Sequence, residues 1–549
     1  MLRTLLLFAL LLGLACSAQA QPKAGTVTSK GGVVVCVSPP AAEVGLNTLK
    51  AGGNAVDAAV ATAFAMAVTW PEAGNIGGGG FMMVAAPGKA PTCFEYRETA
   101  PAAAKVNLFA DGKVTWLNHK AAGVPGTVRG LALAHQKYGK LGWKALVLPA
   151  VQLAEKGFIV DAALAGGLNR VLADPKTTNA AFKLAYGKPN GEKWNAGDTL
   201  VLKDLGRTLR SIAEKGADAF YTGELAELLE KEMKAGGGLI TKDDLAKYRA
   251  NEREPVHATY RGYDVYGPPP PSSGGVALAE ALNVLENFDL KEKGRWAPET
   301  SHLVIETMKR VFVDRARYLG DPDFTKIPAE LTTKEYAKKL AAKIDLTKAT
   351  SSAELAPEIA LDKESGSTTH FSVIDKDGLA VSNTYTLENS YGNRVVVRGA
   401  GYILNNEMTD FNPRPGFTGT KGEIGTKPNL IAPGKRMLSS MTPVIVLKNG
   451  KPFLVTGSPG GRTIINTVLC VVLNVLAFDM PVDEAVSAPR LHHQWFPDAA
   501  RFEGMKSHPD LVAQLKKLGH SVTEHRQGDA HSIWINPRTG ERVGAADKR

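Results

Sequence analysis

A threonine that follows a short polar stretch has the most distinctive chemistry in this sequence. Residues 364–367 are small or polar, and a strand-like alternation begins at Thr368. If the chain cleaved itself between Ser367 and Thr368, the new terminus would carry a hydroxyl and an α-amine, whose pKa is normally about 7.7–8.0. Such an amine can activate the hydroxyl of its own residue as a nucleophile. Taken alone, this stretch also fits an ordinary strand start, because β-branched residues suit strands.

The residues after this threonine are predicted to form a β-hairpin. Segments 369–374 and 379–386 flank a four-residue turn. Pairing Ile374 with Leu379 would bring Thr386 within about one residue of the nucleophile. Thr386 could then hydrogen-bond the hydroxyl or the amine of that residue, or it could be a plain cross-strand neighbour.

Two further predicted strands end in polar or glycine-rich segments. An Asn-Gly turn, the strongest short hairpin signal, joins strands predicted at 444–448 and 451–456. This hairpin leads into the glycine-containing segment 457–461. A strand predicted at 401–404 leads into 405–410, which contains two acidic residues. Separate strand ends would thus present a hydroxyl, acids and a glycine pair.

The N-terminal part predicts a buried helix and a tightly packed turn. Asn54 is a plausible N-cap for an alanine-rich, nearly uncharged helix over 55–63. Four glycines at 77–80 allow close backbone approach, and no Lys-Ser/Thr follows them as a phosphate loop would need. Arg97 closes a strand before a proline turn, so it could project into a cleft or form a surface ion pair.

The region between about 125 and 340 is mainly helical in pattern, most clearly around 127–156, 204–234, 276–287 and 298–319. A proline-rich stretch at 267–275 interrupts it. That stretch could be a polyproline ligand, but its place between a strand-like segment and a helix start favours a rigid internal connection.

Composition and the N-terminus indicate an exported globular protein. The chain has 549 residues and a net charge of +10, but the basic residues are dispersed, which favours a solvated basic surface over nucleic-acid binding. Residues 1–20 predict a signal peptide, with Arg3, an apolar run and Ala18-Gln19-Ala20 as the cleavage site. Lipidation at Cys16 is the less favoured alternative. We expect a periplasmic or secreted protein.

The remaining cysteines and the histidines predict no metal centre. Cys36, Cys93 and Cys470 allow at most one disulfide, and each is flanked by apolar residues, so buried small hydrophobes are the default. His492-His493 and the pair His525 and His531 lack the accompanying spacing of a zinc site.

The order of these segments resembles the γ-glutamyltranspeptidase family of N-terminal nucleophile hydrolases over essentially the whole mature chain. The motifs that carry the resemblance are Arg97-Glu98-x-Ala100-Pro101, Thr368-Thr369-His370, Asn405-Asn406-Glu407-Met408-x-Asp410-Phe411, Leu438-Ser439-Ser440-Met441-x-Pro443, Thr456-Gly457-Ser458-Pro459-Gly460-Gly461 and Ala488-Pro489-Arg490-x-His492-His493-Gln494-Trp495.

The resemblance implies an α+β fold, a four-layer αββα sandwich of the N-terminal nucleophile hydrolase type. It further implies self-cleavage into a large subunit, 21–367, and a small catalytic subunit, 368–549, which share one core as a heterodimer. The partners would otherwise be small γ-glutamyl substrates and water or amino-acid acceptors, with no nucleic acid and no integral membrane segment. No metal or organic cofactor is implied.

The resemblance also assigns roles to individual residues. Thr368 would be the nucleophile, assisted by Thr386, and the backbone N–H groups of Gly460 and Gly461 would form the oxyanion hole. The substrate-binding residues would be of two kinds: donors for the α-carboxylate and acids for the α-ammonium. The donors are Arg97, Ser439 and Ser440; the acids are Glu407, Asp410 and Glu388.

Two departures from the family pattern and two alternatives stay open. Many relatives carry Asn where this chain has Glu388, which makes glutathione as substrate less certain than the chemistry. A lid predicted at 415–426 lacks the aromatic gate of some relatives within 418–423, so it would be looser.

The nearest alternative function is that of a glutaryl- or cephalosporin-type acylase on the same scaffold. A non-enzymatic exported binding protein is the remote alternative.

Overall fold

The structure, a computed structural model, describes residues 25–175, 179–357, 362–363 and 368–547. The predicted signal peptide (1–20), Cys16 and Ser367 lie outside the described residues, as does the rest of the segment before the predicted cleavage point, 364–367.

Twenty strands run through the described residues. In chain order they are β1 Thr26–Ser29, β2 Val33–Cys36, β3 Gly79–Ala85, β4 Thr92–Glu95, β5 Phe158–Ile159, β6 Thr199–Leu200, β7 Asn251–Arg253, β8 Val256–Tyr260, β9 Tyr263–Gly267, β10 Asp362–Lys363, β11 Thr369–Ile374, β12 Ala380–Thr386, β13 Gly422–Glu423, β14 Val444–Lys448, β15 Lys451–Thr456, β16 Leu491–His492, β17 Ala500–Phe502, β18 Val522–Thr523, β19 His531–Ile535 and β20 Arg542–Ala546.

The same residues form eighteen α-helices and four short 3₁₀ helices. The α-helices are α1 Pro39–Lys50, α2 Ala55–Thr69, α3 Thr127–Tyr138, α4 Trp143–Lys156, α5 Ala162–Leu172, α6 Ala180–Tyr186, α7 Lys203–Lys215, α8 Asp218–Tyr221, α9 Gly223–Gly236, α10 Lys242–Lys247, α11 Gly274–Leu285, α12 Leu290–Lys293, α13 Pro298–Tyr318, α14 Lys334–Ala341, α15 Ser352–Leu355, α16 Thr463–Leu476, α17 Val482–Ser487 and α18 Pro509–Lys517. The 3₁₀ helices are His119–Ala121, Ala329–Thr332, Glu407–Asp410 and Lys427–Asn429.

Two antiparallel sheets face each other at the centre. One has the strand order β2-β11-β12-β3-β4-β7, and the other has the order β1-β20-β19-β15-β14-β9-β8. Helices α2 and α3 pack on the outer side of the first sheet, and α11 and α17 pack on the second. The four layers therefore run helix, sheet, sheet, helix, which confirms the αββα sandwich.

Alternation along the strands divides the core between the layers. In β3, Met82 and Val84 pack with the helices around α2, whereas Phe81 and Met83 pack between the sheets. Successive side chains of a strand point to opposite faces, so one fully buried strand contributes to two apolar layers. The sheet interface also carries polar bonds: the Ser382 hydroxyl donates to the Thr456 carbonyl oxygen over 2.9 Å.

Helix α2 confirms the helix predicted at 55–63 and extends it to Thr69. Asn54 is its N-cap: its side chain accepts from the backbone N–H of Asp57, whose carboxylate accepts in turn from the Asn54 N–H over 2.9 Å. Such a capping box satisfies backbone donors that the helix leaves unpaired. All fifteen residues of α2 are buried, as its lack of charge predicted.

The hairpin after Thr368 forms, but the predicted register was wrong by one residue. Ile374 pairs with Ala380 and not with Leu379, because β12 begins one residue later. Asp375 explains the shift: its carboxylate accepts from the backbone N–H of Leu379 over 3.0 Å, which keeps Leu379 in the turn. The second predicted hairpin is confirmed, with β14 and β15 at the predicted bounds.

The strand predicted at 401–404 was wrong. Within this segment the structure has one isolated bridge, between Val396 and Ile403. Gly401, at φ 76° and packed against the start of α7, breaks the extended backbone. The mainly helical region also contains a strand group, β7 to β9, whose residues join the edges of both central sheets.

Two further features bear on the sequence predictions. Cys36, Cys93 and Cys470 are free thiols, and burial raises the pKa of Cys36 to about 12. In the part of the chain that the structure describes, no helix combines the length and apolarity needed to cross a bilayer.

Candidate active site

One cavity of about 400 Å³ lies where the ends of central strands meet. All ten residues predicted from the motifs line it, although they are spread over more than 360 positions of the chain. They are Arg97, Thr368, Thr386, Glu388, Glu407, Asp410, Ser439, Ser440, Gly460 and Gly461. This convergence makes the cavity the candidate active site.

Thr368 and Thr386 lie at neighbouring strand ends. Thr368 immediately precedes β11 and is half-buried. Thr369 pairs with Tyr385, so the same register places Thr386, the last residue of β12, across from Thr368. The Thr386 hydroxyl oxygen accepts from the backbone N–H of Glu388 over 2.8 Å.

The glycine-rich turn supports Thr386 from the other side. Asn75 donates from its side-chain amide to the Thr386 carbonyl oxygen over 2.9 Å. A Cβ atom added at Gly78 would lie 2.0 Å from that same oxygen. Only glycine fits such a close approach, which confirms the predicted tight packing at this turn.

Gly460 and Gly461 lie in the loop between β15 and α16, with φ angles of 132° and 57°. The Gly460 carbonyl oxygen accepts from the Thr463 hydroxyl over 2.8 Å. Among the described residues, no acceptor is bonded to the backbone N–H of either glycine. Two successive donors at the cavity wall can stabilise a negatively charged oxygen.

Arg97 is fully buried and is surrounded by acids. Its Nε donates to the Met437 carbonyl oxygen over 3.2 Å. Its terminal nitrogens pair with Glu407 over 2.5 Å, with Asp410, and with Glu98 over 3.6 Å. Burial opposes the charge of Arg97, but Glu407 and Asp410 outweigh it and raise the Arg97 pKa. The Arg97 guanidinium and the carboxyl groups of Glu407 and Asp410 therefore lie side by side in the cavity wall.

The three glutamates near Arg97, namely Glu98, Glu388 and Glu407, have raised pKa values. Burial raises the pKa of Glu98 to about 8, against the attraction of Arg97. Burial also raises the pKa values of Glu407 and Glu388, and the nearby Asp410 raises them further. Several acids around one guanidinium cannot all be ionised at low cost, so the cluster retains protons near neutral pH.

Glu388 is held in place by its neighbours in the wall. It has a φ of 76° and is 4% exposed, and its carboxylate accepts from the side-chain amide of Asn406. Asn406 in turn accepts from the backbone N–H of Asn389 over 3.1 Å. The carboxyl that departs from the family pattern is therefore part of an ordered cavity wall.

Ser439 and Ser440 are supported by a network that the sequence did not reveal. Ser440 Oγ accepts from Nη2 of Arg315, on α13, over 3.0 Å, and Arg315 Nε donates to Ser273 Oγ over 3.0 Å. Ser273 donates to the Ser439 carbonyl oxygen over 2.6 Å. Burial lowers the Arg315 pKa to about 10. The proline-rich stretch is thus an internal support, as predicted.

A further group of residues in the cavity lining is basic and was also missed. Arg462, Arg501 and Arg526 line it together with Gln494 and Gln527. Arg501 lies on β17, and burial lowers its pKa. Gln494 belongs to a motif quoted above, but that motif gave it no role in the site. The other four residues belong to none of the motifs.

The segment predicted as a lid, 415–426, contacts this basic group through Arg462. Arg462 donates to the carbonyl oxygen of Gly422 over 2.5 Å. Phe417, the aromatic residue of this segment, is 42% exposed and contacts the guanidinium of Arg414. Within the described residues, no aromatic side chain of 415–426 lines the cavity.

His370 belongs to the structural support and not to the cavity. Its ring hydrogen-bonds the hydroxyls of Thr384, over 2.8 Å, and Ser372, over 3.0 Å. Since Ser372 donates to the His531 carbonyl oxygen, it accepts from His370. Burial lowers the His370 pKa well below its ordinary value, with His531 adding to the effect.

One buried group elsewhere has the geometry of a metal site but not its charge balance. His302, Glu306 and His520 hold their ligand atoms within 4.8 Å of one another. Glu306 is already paired with Arg310 over 2.6 Å and with Lys309 over 3.4 Å. A cation added beside two existing cations would be repelled.

The sandwich of two sheets between helix layers, with a threonine at the end of a central strand beside paired N–H donors, defines the class of N-terminal nucleophile hydrolases. Within that class, the chain belongs to the γ-glutamyltranspeptidase family: the family model described as Gamma-glutamyltranspeptidase matches residues 41–549. This assigns the chain to an enzyme family.

Individual relatives agree with this assignment. The glutathione hydrolase proenzyme of Escherichia coli K12 is 45% identical over 568 aligned positions, which cover 100% of this chain and 97% of the relative. The crystal structure of cephalosporin acylase from Bacillus halodurans superposes with a TM-score of 0.85 at 29% identity, with 97% of each chain covered. The γ-glutamyltranspeptidase of Pseudomonas nitroreducens complexed with L-DON has a chain that is 44% identical, with a TM-score of 0.55, and covers 59% of this chain and 97% of its own.

Proposed function

We propose that this protein is a self-processing γ-glutamyltransferase and hydrolase that acts on glutathione or related γ-glutamyl compounds. The supporting observation is that a threonine, a pair of N–H donors and an arginine–carboxylate cluster share one cavity. A γ-glutamyl group carries an α-carboxylate, an α-ammonium and a carbonyl carbon. The three parts of the cavity match these three features.

Self-cleavage would prepare the nucleophile. The hydroxyl oxygen of Thr368 attacks the carbonyl carbon of Ser367, the peptide C–N bond breaks, and an ester joins the two residues. The released nitrogen takes up the proton of the hydroxyl and becomes the α-amine of Thr368. Water then hydrolyses the ester, which leaves a carboxylate on Ser367 and restores the hydroxyl. The products are the pieces 21–367 and 368–549, which stay together because strands of both pieces alternate in the central sheets.

Turnover would then proceed through an acyl-enzyme. The α-amine of Thr368 accepts the proton of its own hydroxyl, and the oxygen attacks the γ-carbonyl carbon of the substrate. The developing oxyanion accepts from the N–H groups of Gly460 and Gly461. The proton passes to the leaving amine, and the γ-glutamyl ester remains on Thr368. Water or an amino-acid amine then accepts the acyl group.

The charged cluster would orient the donor. Arg97 is suited to the α-carboxylate, because its planar guanidinium makes charge-assisted bonds. Ser440 Oγ accepts from Arg315 and Ser439 Oγ accepts from the backbone N–H of Met441 over 3.0 Å, so both hydroxyl protons can point to the same carboxylate. Glu388, Glu407 and Asp410 would accept hydrogen bonds from the α-ammonium, whose positive charge favours the ionised form of Glu388 and Glu407 against the effect of their burial.

The cellular location of the protein is part of this proposal. The charged start, the apolar run and the small-residue cleavage site within 1–20 predict export to the periplasm or beyond, with lipidation at Cys16 as the less favoured form. Small γ-glutamyl compounds outside the cytoplasm would be its substrates.

A glutaryl- or cephalosporin-type acylase is the second candidate, favoured by the high structural similarity to cephalosporin acylase. A glutaryl group lacks the α-ammonium, so Glu388, Glu407 and Asp410 would have no ammonium to bind, and only the pairing of Arg97 with Glu407 and Asp410 would remain. We therefore expect γ-glutamyl-p-nitroanilide to be cleaved much faster than glutaryl-p-nitroanilide. Equal rates for the two would contradict the γ-glutamyl assignment.

Intact mass tests the self-cleavage. The purified protein should separate under denaturing conditions into two pieces, and the smaller should begin at Thr368. The Thr368→Ala variant should stay in one piece and be inactive. A wild-type chain that remains whole and is nevertheless active would overturn the mechanism.

A further inference from the structure

We propose that two buried asparagines, Asn75 and Asn405, are positioning residues for two different parts of the reaction. Asn75 fixes the place of Thr386, which would assist the nucleophile. Asn405 fixes the place of Glu407, which would bind the α-ammonium. This inference rests on the proposed function and adds two residues to it. Neither asparagine lines the cavity, so each would act through the residue that it holds.

The side-chain amide of Asn75 makes all the hydrogen bonds that an asparagine can make. Its nitrogen donates to the carbonyl oxygens of Thr386 and Ala73, each over 2.9 Å. Its oxygen accepts from the Gly78 N–H over 2.9 Å and from the Thr127 hydroxyl over 2.7 Å. Because the nitrogen contacts acceptors and the oxygen contacts donors, these bonds fit a single orientation of the amide. That orientation fixes the Thr386 carbonyl at the end of β12.

The side-chain amide of Asn405 is bonded in the same way. Its nitrogen donates to the carbonyl oxygens of Gly77, over 2.7 Å, and Gly123, over 2.8 Å. Its oxygen accepts from the N–H groups of Gly123, over 2.8 Å, and Glu407, over 3.0 Å. The Glu407 backbone is therefore fixed at the point from which its side chain reaches Arg97, over 2.5 Å.

Both amides attach to one backbone frame, which consists of the glycine turn 77–80 and the segment 123–127 that leads into α3. The two parts of the frame are bonded to each other. The N–H groups of Gly126 and Thr127 both donate to the Gly78 carbonyl oxygen, over 2.8 Å and 3.0 Å. Thr386 and Glu407 are thus held against the same support.

The bonds to this frame would join the two subunits after self-cleavage. The bond from Asn75 to Thr386 spans 311 positions of the sequence, and the bond from Asn405 to Gly77 spans 328. Both amides are buried, so the loss of a bonded partner is costly and each amide stays in place. A reacting group displaced by about 1 Å can lose about 100-fold in rate, which makes such fixed placement relevant to catalysis.

The test compares γ-glutamyl-p-nitroanilide with glutaryl-p-nitroanilide, which lacks the α-ammonium. Asn75→Ala should lower kcat/KM about 10- to 100-fold for both substrates alike, because both use the same nucleophile. The ratio of the two kcat/KM values should therefore stay as in the wild type. Asn405→Ala should instead lower this ratio about tenfold, the size of a lost charged hydrogen bond, because the γ-glutamyl substrate alone has an ammonium for Glu407. Rates refer to the self-cleaved fraction measured by intact mass.

Conservative variants separate positioning from a general loss of structure. A buried aspartic acid stays protonated, so it can keep every bond of the asparagine except one that the amide donates. Asn75→Asp and Asn405→Asp should therefore show the same two patterns at a smaller size. Thr127→Val removes the hydroxyl that orients the Asn75 amide and should lower both kcat/KM values a few-fold, whereas Thr127→Ser should retain them. These variants decide the test if an alanine variant does not fold.

Asn169 provides a matched control. On α5, its amide exchanges two hydrogen bonds with the Trp194 backbone, each over 2.8 Å, and it lies outside the cavity lining. Asn169→Ala should lower the unfolding temperature and leave both kcat/KM values unchanged. A substrate ratio that changes in the Asn75 variants, or one that stays constant in the Asn405 variants, would overturn the assigned roles. A wild-type ratio near one would instead overturn the γ-glutamyl assignment, and the role of Asn405 with it.

Discussion

Arg315 donates a hydrogen bond from Nη2 to the hydroxyl oxygen of Ser440 over 3.0 Å. A hydroxyl that accepts a charge-assisted hydrogen bond can still donate its own proton. The cation polarises the O–H bond and makes the hydroxyl a stronger donor. Arg315 would therefore act on a substrate carboxylate through Ser440. We regard it as a positioning residue.

Replacing Arg315 with methionine should weaken donor binding more than turnover. We expect the KM for γ-glutamyl-p-nitroanilide to rise about tenfold, the size of a lost charged hydrogen bond, with a smaller change in kcat. The analogue 4-aminobutyryl-p-nitroanilide lacks the α-carboxylate, so its KM should not respond. Arg317→Met is the matched control on the same helix, since Arg317 pairs with Asp314 and lies outside the cavity lining. An equal KM increase for both substrates would indicate a general structural role for Arg315.

Thr386 should be needed for the reactivity of Thr368. Thr386→Val keeps the shape of the side chain but removes the hydroxyl, so kcat should fall about 10- to 100-fold because the nucleophile loses a polar partner. Thr386→Ser keeps the hydroxyl and should retain most of the activity. Steady-state kinetics and intact mass would separate an effect on turnover from one on self-cleavage. Full activity in the valine variant would rule out this role.

Gly460 should tolerate no side chain. At a φ of 132°, alanine is strained, and its Cβ would lie 2.5 Å from the Thr463 hydroxyl oxygen. The loop must shift, and the N–H donors shift with it. We expect Gly460→Ala to lower kcat about 100-fold, the usual effect of losing one oxyanion donor.

Gly450 offers a control for this prediction, because it also has a positive φ, of 72°, but no atom lies within 4 Å of its added Cβ. It occupies the turn at the far end of β15. Gly450→Ala should lower the unfolding temperature slightly through backbone strain and leave kcat unchanged. Equal kinetic losses in the two variants would show that strain, and not the oxyanion geometry, is responsible.

Glu98 should make stability depend on pH. Burial raises its pKa from the ordinary 4.5 to about 8, so the folded protein holds a proton there that the unfolded chain releases. The stabilisation is complete below about pH 4.5 and is lost as the pH rises through about 8. The glutamine of Glu98→Gln stays neutral at every pH. The unfolding temperature of this variant should therefore rise relative to that of the wild type as the pH increases from 5 to 9.

Asp111 is the control carboxylate for this experiment. It is exposed, and its backbone bond to Lys113 lowers its pKa. It is therefore ionised in both the folded and the unfolded state above pH 5. Differential scanning calorimetry of Asp111→Asn should give a curve parallel to the wild type over the same range. A parallel curve for Glu98→Gln would show that Glu98 is ionised in the folded protein.

Local chemistry made several elements predictable. The Asn-Gly turn specifies a tight hairpin, and β14 and β15 have the predicted bounds. Asn54 and Asp57 specify the start of α2. The first hairpin was predicted one residue out of register because the bond from Asp375 to the Leu379 N–H depends on the side-chain conformation. The prediction of a strand at 401–404 failed for a similar reason. The backbone conformation of Gly401 depends on its packing against α7, which is distant in the sequence.

The candidate site was predictable only in part. The hairpin register and the family resemblance together named ten catalytic and substrate-binding residues, and all ten line the cavity. Arg315 and Gln527 stayed hidden, because α13 has the pattern of an ordinary buried helix and a glutamine in a loop has no motif of its own. The significance of Arg315 lies in its bond to Ser440, which is 125 residues away in the sequence.

The sequence by itself determined the fold class and the family, and it predicted the nucleophile. Turn residues, caps and ordered motifs act through neighbours along the chain, and they can be recognised without a structure. Only the tertiary structure decided that Arg97 stands among three acids, that Arg315 supports Ser440, and that further arginines line the same cavity. These features arise when two sheets and their helices pack face to face, because burial and charge then depend on residues that are distant in sequence.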